Sequence, residues 1–421
     1  MFRFRLLTIL YLVASVALFV LAFGSDKKAG AMKGGSARND AGKPGDHAQT
    51  GIDVLKSQSF APLRGKHVGL ITNQTGLDSH GVRTIDLLTQ AKDVNLVAIF
   101  SPEHGIAGTA DAAVANEADV RTGLPIFSLY GATRKPTGDM LRGIDSLVFD
   151  IQDAGVRFYT YITTMAYSME AASQQHVTFF VLDRPNPLGG EVIEGPLLDH
   201  DRASFVGYFP MPVRYAMTMG ELAQMFNAEN KIGADLHVIS MQDWHRRDTF
   251  DMTGLAWIPP SPALRTLREN FLYPGVEILQ APGVSVGRGT PSPFELLGAP
   301  WIDSTALLAE LNRRKVPGVQ FVAAQFTPAT GLLSGTTCNG LSIDLQNRDS
   351  FRPVLMGLEI ASVLHRLYPA KFQVDKMIEL LGSRSTVYRL ARGDDPREIE
   401  AGWAADIASF REMREKYLLY H

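Results

Sequence analysis

Short apolar runs recur along the first half of the chain and alternate with stretches that have helical periodicity. Such alternation is typical of βαβ units, so we predict a mostly parallel sheet flanked by helices, which is an α/β fold. The predicted strands cover residues 67–72, 96–100, 126–129, 146–149, 178–182 and 236–239.

Two of the predicted helices have specific local signals. The first covers residues 160–175, where an apolar stripe recurs at helical spacing: Ile162, Met165, Ala166, Met169 and Ala172. The second begins after Thr218, which forms a capping box with Glu221. Both helices are expected to pack their apolar faces on the sheet.

The pattern changes after residue 247, where proline and glycine become dense and strands should be short. We therefore predict a first domain over residues 51–248 and a smaller C-terminal α+β domain over residues 249–421, with a substrate-binding or auxiliary role. Its expected helices cover residues 353–368 and 374–381, and a last one follows the N-cap Asp395 with Pro396 in its first position.

The N-terminal 50 residues differ from the rest of the chain. Arg3 and Arg5 precede an apolar run that ends at Phe23, so residues 1–31 read as a secretory signal peptide or an uncleaved anchor. Residues 32–50 contain almost no large apolar side chain and are predicted to be a flexible linker. We expect an exported protein, periplasmic or envelope-associated, that could contact the membrane through this segment.

Composition excludes some classes of function. The 421-residue chain is 45% hydrophobic and has a formal charge of −3, and it shows no basic stripe for nucleic acid. Its single cysteine, Cys338, rules out an internal disulfide. Composition leaves the oligomeric state open.

Polar clusters follow four of the predicted strands, and we expect them to converge at one edge of the sheet as a cleft for a polar small molecule or a sugar. The clusters are Asn73 with Gln74, Glu103 with His104, Asp150 with Gln152 and Asp153, and Asp183 with Arg184 and Asn186. Glu103 could act as a general acid oriented by His104. Asp150 or Asp153 could supply the second carboxylate that glycoside hydrolysis often uses. Each of these residues could instead cap a turn.

Other residues could shape the same cleft. Tyr159, just before the predicted helix at residues 160–175, could offer an aromatic face to a sugar ring or serve core packing. Arg157, Arg184 and Arg288 could bind a carboxylate of the ligand or pair with a nearby carboxylate of the protein.

Three other kinds of chemistry have weaker support. Ser285 lies in a G-x-S-x-G sequence, but the residues around it cannot form the strand, turn and helix of a hydrolase nucleophile elbow. No glycine-rich fingerprint follows the first strand, so we predict no dinucleotide cofactor. His104 with Asp150 or Asp153 could bind a metal ion, although no metal-ligand spacing accompanies them.

Several long motifs extend this interpretation. They cover residues 69–76, 100–105, 149–153, 155–161, 182–187 and 287–290. With them the sequence resembles the exo-β-N-acetylmuramidase family, glycoside hydrolase family 171, over about residues 51–420. The resemblance implies a Rossmann-like catalytic domain and a cleft at its junction with the C-terminal domain. It also implies release of N-acetylmuramic acid from the non-reducing end of peptidoglycan-derived glycans, with Glu103 as the catalytic glutamate and no cofactor.

The sequence departs from the family pattern in its second part. Ala263 stands where the pattern has asparagine, and Gln280 and Gly283 stand where it has glutamate and asparagine. We therefore keep two hypotheses: a muramidase-like hydrolase with Glu103 as acid and His104 and Asp153 tuning it, and a catalytically silent glycan-binding protein of the envelope.

Overall fold

The computed structural model describes residues 47–110 and 115–421. The predicted signal or anchor and most of the predicted linker lie outside these residues. Residues 47–50, which we assigned to the linker, belong to the folded part: Ala48 is buried, and Gln49 forms an antiparallel bridge with Gln242. The physical reason is that Ala48 packs against Met241, Trp244 and Tyr420, a contact that the local composition does not reveal.

A mostly parallel sheet of seven strands forms the centre of the described part. The strands are β1 (His67–Thr72), β2 (Asn95–Ser101), β3 (Glu117–Ala118), β4 (Pro125–Ser128), β5 (Ser146–Asp150), β6 (Thr178–Leu182) and β7 (Leu236–Ile239). Their order is β3-β4-β2-β1-β5-β6-β7, and only β3 pairs antiparallel to its neighbour. Without β3 this is the Rossmann order, whose direction of winding reverses between β1 and β5. The predicted α/β class is confirmed.

Helices cover both faces of the sheet because its strands are buried on both sides. They include α1 (Gly51–Ser57), α2 (Thr84–Gln90), α3 (Tyr161–Gln175) and α4 (Met219–Glu229). On β5, Leu147 and Phe149 belong to one hydrophobic cluster, whereas Val148 belongs to the cluster on the other face. Both helices predicted with local signals are present. The capping box is confirmed, since Thr218 Oγ1 accepts from the Glu221 amide and the Glu221 carboxylate accepts from the Thr218 amide.

The second part of the chain contains a small antiparallel sheet and more helices, as an α+β arrangement requires. Its strands are β8 (Leu296–Ala299), β9 (Val319–Phe326) and β10 (Cys338–Leu345), in the order β8-β10-β9. Its helices are α5 (Leu267–Val276), α6 (Ser304–Arg314), α7 (Pro353–Leu367), α8 (Ile378–Leu381), α9 (Arg384–Ala391), α10 (Pro396–Ala401) and α11 (Ala404–Glu415).

Two C-terminal predictions need correction. The segment predicted as a helix over residues 374–381 is a 3₁₀ turn, Val374–Met377, followed by the single turn of α8. The last predicted helix is two helices, α10 and α11, although Asp395 does cap the first of them. The helix is interrupted at Gly402, because glycine is a weak helix former. The buried Trp403 donates its indole N–H to Thr386 Oγ1 at 3.0 Å.

The two parts of the chain share a core. One hydrophobic cluster includes Phe149 and Met165 of the first part together with Leu272, Val363 and Phe410 of the second. The domain boundary at residue 248 therefore stays a prediction. Within residues 47–110 and 115–421, no helix has the length and apolar character needed to cross a membrane.

Candidate active site

A cleft of about 620 Å³ lies between the loops of the large sheet and the second part of the chain. Its volume is in the range of small-molecule sites. Most of the lining comes from the loop after β2, the residues before α3, and helix α5 with the turn after it. The loops around residues 261–265, 288–293 and 330–331 supply most of the rest. The lining residues are Glu103, His104, Phe158, Tyr159, Thr160, Val206, Ser261, Pro262, Ala263, Arg265, Tyr273, Glu277, Gln280, Arg288, Gly289, Pro293, Thr330, Gly331 and Leu380.

Glu103 is half-buried in this cleft and lies beside two hydroxyl groups. Thr160, the residue before α3, donates its hydroxyl to Glu103 Oε2 at 2.5 Å. The Tyr130 side chain, from the loop after β4, interacts electrostatically with Glu103. Burial, and then the neighbouring carboxyl group, raise the pKa of Tyr130 to about 12, so the phenol keeps its proton near neutral pH. Three segments of chain thus meet at one carboxyl group.

His104 follows Glu103 in a strained backbone conformation, with φ of 72° in the left-handed region. Its Nδ1 lies 2.7 Å from the carbonyl oxygen of Ala110. A carbonyl oxygen can only accept, so Nδ1 carries a proton. This hydrogen bond fixes the orientation of the imidazole where it lines the cleft.

Three tyrosines form a wall beside these residues. Tyr161 donates its hydroxyl to the Pro260 carbonyl at 2.6 Å and accepts from Asn73 Nδ2 at 3.0 Å. Tyr159 packs edge-on against Tyr161 and Tyr273, with ring centroids 4.8 and 6.0 Å apart. Tyr159 lines the cleft, as predicted. Asn73 does not line it and supports the wall from behind, which corrects its expected contact with substrate.

Asp150 and Arg184 were also expected to bind substrate, and the structure pairs them with each other instead. Arg184 donates to both oxygens of the fully buried Asp150 carboxylate, at 2.6 and 3.0 Å. Thr84 adds a short hydrogen bond to the same carboxylate. A buried charge needs such compensation, so this pair stabilises the strand ends below the cleft.

The residues after β6, and Gln152 after β5, hold loops together. Asp183 accepts from the Gly220 amide at 2.8 Å, and from Thr218 and Tyr420 hydroxyls at 2.7 and 2.6 Å. Asn186 donates to the Met217 carbonyl at 2.8 Å, and Gln152 donates to the Pro185 carbonyl at 2.8 Å. None of Asp183, Asn186 and Gln152 lines the cleft, because later loops cover these strand ends. The expectation that all four polar clusters converge on it is wrong.

Asp153 and Arg157 lie inside the protein. Asp153 accepts from the Gly155 amide at 2.7 Å and from the Tyr215 hydroxyl, and burial raises its pKa to about 6. It lies outside the cleft lining, so any effect on catalysis would be indirect. Arg157 is fully buried and donates to main-chain carbonyls rather than to substrate, which corrects the prediction that it shapes the pocket. Its four acceptors are Pro196, Met211, Leu380 and Leu381, at 2.6 to 2.9 Å.

Arg288 lines the cleft, as predicted, and pairs with a carboxylate that the sequence did not single out. Glu277, in the turn after α5, receives hydrogen bonds from Arg288 at 2.8 and 3.3 Å. The Arg288 guanidinium also lies 5.0 Å from the centre of the Phe294 ring. Gln280 and Ala263, two of the three positions that depart from the family pattern, line the same cleft, whereas Gly283 does not. The wall that lacks a carboxylate at residue 280 therefore has one at residue 277.

The rival sites do not form. Ser285 is buried, and its backbone makes an antiparallel bridge with Gly298 instead of starting a helix, so the nucleophile elbow is wrong. His104 lines the cleft whereas Asp150 and Asp153 are buried elsewhere. In the described part of the chain, the group close enough to share a metal ion is Asp53, Asp78 and His80, where Lys56 already pairs with Asp78 at 2.7 Å.

Sequence reasoning missed three residues of the site. Tyr130 follows the predicted strand at residues 126–129, so the rule that selected the other strand ends could have found it. Thr160 was read only as the start of a helix. Glu277 has no local signal, because nothing near it in sequence shows that it faces the cleft.

Comparison with known proteins places this geometry in a family. Residues 68–268 and 271–420 match the two family models described as exo-beta-N-acetylmuramidase NamZ, N-terminal and C-terminal. The chain is 44% identical over 390 residues to the peptidoglycan beta-N-acetylmuramidase NamZ of Bacillus subtilis strain 168, covering 91% of this chain and 94% of that protein. The chain belongs to the exo-β-N-acetylmuramidase NamZ family.

Solved structures agree with this membership. Two DUF1343 family proteins from Bacteroides fragilis NCTC 9343 have the same fold, with TM-scores of 0.83 and 0.73. They are 39% and 30% identical to this chain, cover 90% and 89% of it, and are themselves covered over 100% and 99% of their lengths. Membership of the NamZ family makes the protein a glycoside hydrolase by class.

Proposed function

We propose that this protein is an exported exo-β-N-acetylmuramidase that releases N-acetylmuramic acid, or a related amino sugar, from the non-reducing end of peptidoglycan fragments. The observation that carries the proposal is the half-buried Glu103 carboxyl group, which accepts from the Thr160 hydroxyl in a cleft large enough for a sugar. Membership of the NamZ family supports the choice of substrate.

In the proposed reaction, Glu103 in its acid form donates a proton to the glycosidic oxygen while the bond to the anomeric carbon breaks, and the rest of the glycan leaves as an alcohol. Water then supplies the new bond to the anomeric carbon, and the proton that this water loses restores the acid form of Glu103. Thr160 and Tyr130 keep the carboxyl group in place during this transfer. His104 lines the cleft beside Glu103, and the hydrogen bond from its Nδ1 to the Ala110 carbonyl fixes its orientation. Glu277 is a second carboxylate in the cleft wall, and its ion pair with Arg288 gives it a fixed position.

Export is part of the proposal because peptidoglycan lies outside the cytoplasm. Arg3 and Arg5 followed by an apolar run support a signal peptide or anchor, and hence a periplasmic or envelope-associated protein. Fractionation of cells that express the full chain, with N-terminal sequencing of the product, tests this. Recovery of the full-length chain in the cytosol would contradict it.

The test of the activity uses a disaccharide with N-acetylmuramic acid at its non-reducing end. Wild-type protein should release the sugar, and Glu103→Gln should lower kcat by about 10²- to 10⁴-fold, because the amide cannot donate the proton. Glu412→Gln, at an exposed position on α11, is the matched control and should keep the wild-type rate. Equal rates for Glu103→Gln and wild type would remove Glu103 from the mechanism.

A second candidate is a silent glycan-binding protein, favoured by Ala263 and Gln280 in the cleft lining. Binding of the same disaccharide without any release of sugar would select it. Turnover by the wild-type protein excludes it.

A further inference from the structure

An exposed arginine on a support of aromatic rings lies close to residues that line the cleft. Arg134, in the loop after β4, is exposed, and its guanidinium carbon lies 4.4 Å from the centre of the Phe205 ring and 6.0 Å from that of Tyr130. The two rings stack at 6.1 Å with an interplanar angle of 28°. We call Arg134, Phe205 and Tyr130 the rim platform.

The rim platform connects directly to the reactive carboxyl group. Tyr130 interacts electrostatically with Glu103, and the guanidinium carbon of Arg134 lies 6.0 Å from the centre of the same tyrosine ring. Phe205 precedes Val206, which lines the cleft. One tyrosine side chain therefore separates the exposed cation from the position where the glycosidic bond would break.

The charge of Arg134 is not neutralised by the rest of the described protein. Within residues 47–110 and 115–421, no carboxylate forms an ion pair with it, whereas the adjacent Lys135 pairs with Glu170 at 3.0 Å. Contact with the aromatic faces restricts the motion of the guanidinium. Binding of a ligand therefore costs less side-chain entropy here than at an exposed arginine that moves freely. A planar guanidinium held in this way presents its edge to a carboxylate.

Resting on the proposed function, we propose that Arg134 binds a carboxylate on the leaving part of the substrate. An exo-acting hydrolase holds the terminal sugar in the cleft, so the rest of the glycan must extend out of it. Arg134 is an exposed cation that Tyr130 connects to Glu103. The ligand class is an anionic saccharide, one whose second or third unit carries a lactyl ether or peptide carboxylate. Substrates with such a group should be preferred over neutral ones.

The experiment compares two substrates that share the terminal N-acetylmuramic acid. One has a neutral N-acetylglucosamine leaving group, and the other continues into a carboxylate-bearing muropeptide unit. In Arg134→Met the ratio of kcat/KM for the anionic over the neutral substrate should fall about tenfold, the loss typical of one charge-assisted hydrogen-bonded pair. Arg134→Lys should give an intermediate ratio, because an ammonium group keeps the positive charge but cannot form the two parallel hydrogen bonds of a guanidinium.

The control is Arg142→Met in the same loop. Arg142 is exposed and pairs with Asp139 at 2.5 Å, so its replacement should leave the ratio unchanged. Raising the salt concentration should lower the ratio in the wild type and have little effect in Arg134→Met. An equal loss on both substrates, or no loss on either, would overturn the proposal.

A binding measurement tests the role of Arg134 independently of the proposed hydrolase activity. Calorimetry with the Glu103→Gln protein and the anionic glycan fragment requires no turnover. A tenfold weaker affinity after the additional Arg134→Met change would support the subsite even if the wild type released no sugar. Equal affinities would reject it even if the wild type were an active muramidase.

Discussion

At the scale of single residues, the site depends on how one carboxyl group is held. Glu103 follows a buried strand, and its partners Thr160 and Tyr130 lie 57 and 27 residues further along the chain. Both partners are hydroxyl groups, which can donate to the ionised carboxyl group; the Thr160 hydroxyl can also accept from the protonated form. They therefore constrain the position of Glu103 without adding a charge beside it.

Tyr130→Phe tests this arrangement. We expect kcat to fall about tenfold with little change in KM, because loss of the neighbouring hydroxyl lets the carboxyl group leave its reactive position. The phenyl ring keeps the stacking on Phe205, so the fold should be unaffected. Tyr388→Phe, at an exposed position on α9, is the control. Unchanged steady-state kinetics in Tyr130→Phe would show that Thr160 alone is sufficient.

At the scale of secondary-structure elements, a buried arginine connects the two parts of the chain. Arg157 donates to the Leu380 and Leu381 carbonyls at the end of α8, and also to Pro196 and Met211 in the first part. Burial lowers its pKa to about 9, so the cation persists at neutral pH. Since Leu380 lines the cleft, Arg157 positions one wall of the site without contacting the ligand.

Replacing Arg157 by methionine should lower the free energy of unfolding by about 3 kcal/mol or more, because four buried carbonyls lose their donors. Urea denaturation measures this change. Arg411→Met, at an exposed position on α11, should remain within about 0.5 kcal/mol of wild type. A similarly small effect for Arg157→Met would mean that water replaces the guanidinium.

At the scale of the whole molecule, buried carboxyl groups make stability depend on pH. Burial raises the pKa of Asp153 and of Asp183 to about 6 and that of Glu194 to about 7. Glu194 accepts from the Leu355 amide at the start of α7, so it joins the first part of the chain to the second. Each folded carboxyl group keeps its proton to a higher pH than the unfolded one does.

The direction in which pH changes the free energy of unfolding follows from the number of protons that each state binds. Between the ordinary pKa of glutamate, 4.5, and about 7, the folded state binds more protons at Glu194 than the unfolded state does. The free energy of unfolding should therefore be largest below this window and fall as the pH rises through it. Glu194→Gln should remove about 3 kcal/mol of this decline. Urea titrations from pH 5 to 8 measure the slope, and an unchanged slope in the variant would contradict the assignment.

Features of the fold that depend on residues close together in the sequence could be predicted, and features that depend on residues far apart in the sequence could not. Six of the seven strands of the large sheet, helix α3, the capping box at Thr218 and the turn that carries Glu103 follow from patterns within one short window. Strand β3 and the three strands of the small sheet were not located from the sequence. The sequence also excluded the Ser285 elbow, because a proline-rich and glycine-rich loop cannot start a helix. These features depend on local backbone preferences and on the period of apolar residues.

Only the tertiary structure decided which polar strand ends face the ligand. Asp150 and Arg184 neutralise each other across 34 residues, and Arg157 reaches carbonyls as far as 224 residues away, so none of the three lines the cleft. Glu277 and Tyr130 enter the site because distant segments pack together there. A sequence shows that a charged side chain is present, but its role depends on whether folding places a partner or open solvent beside it.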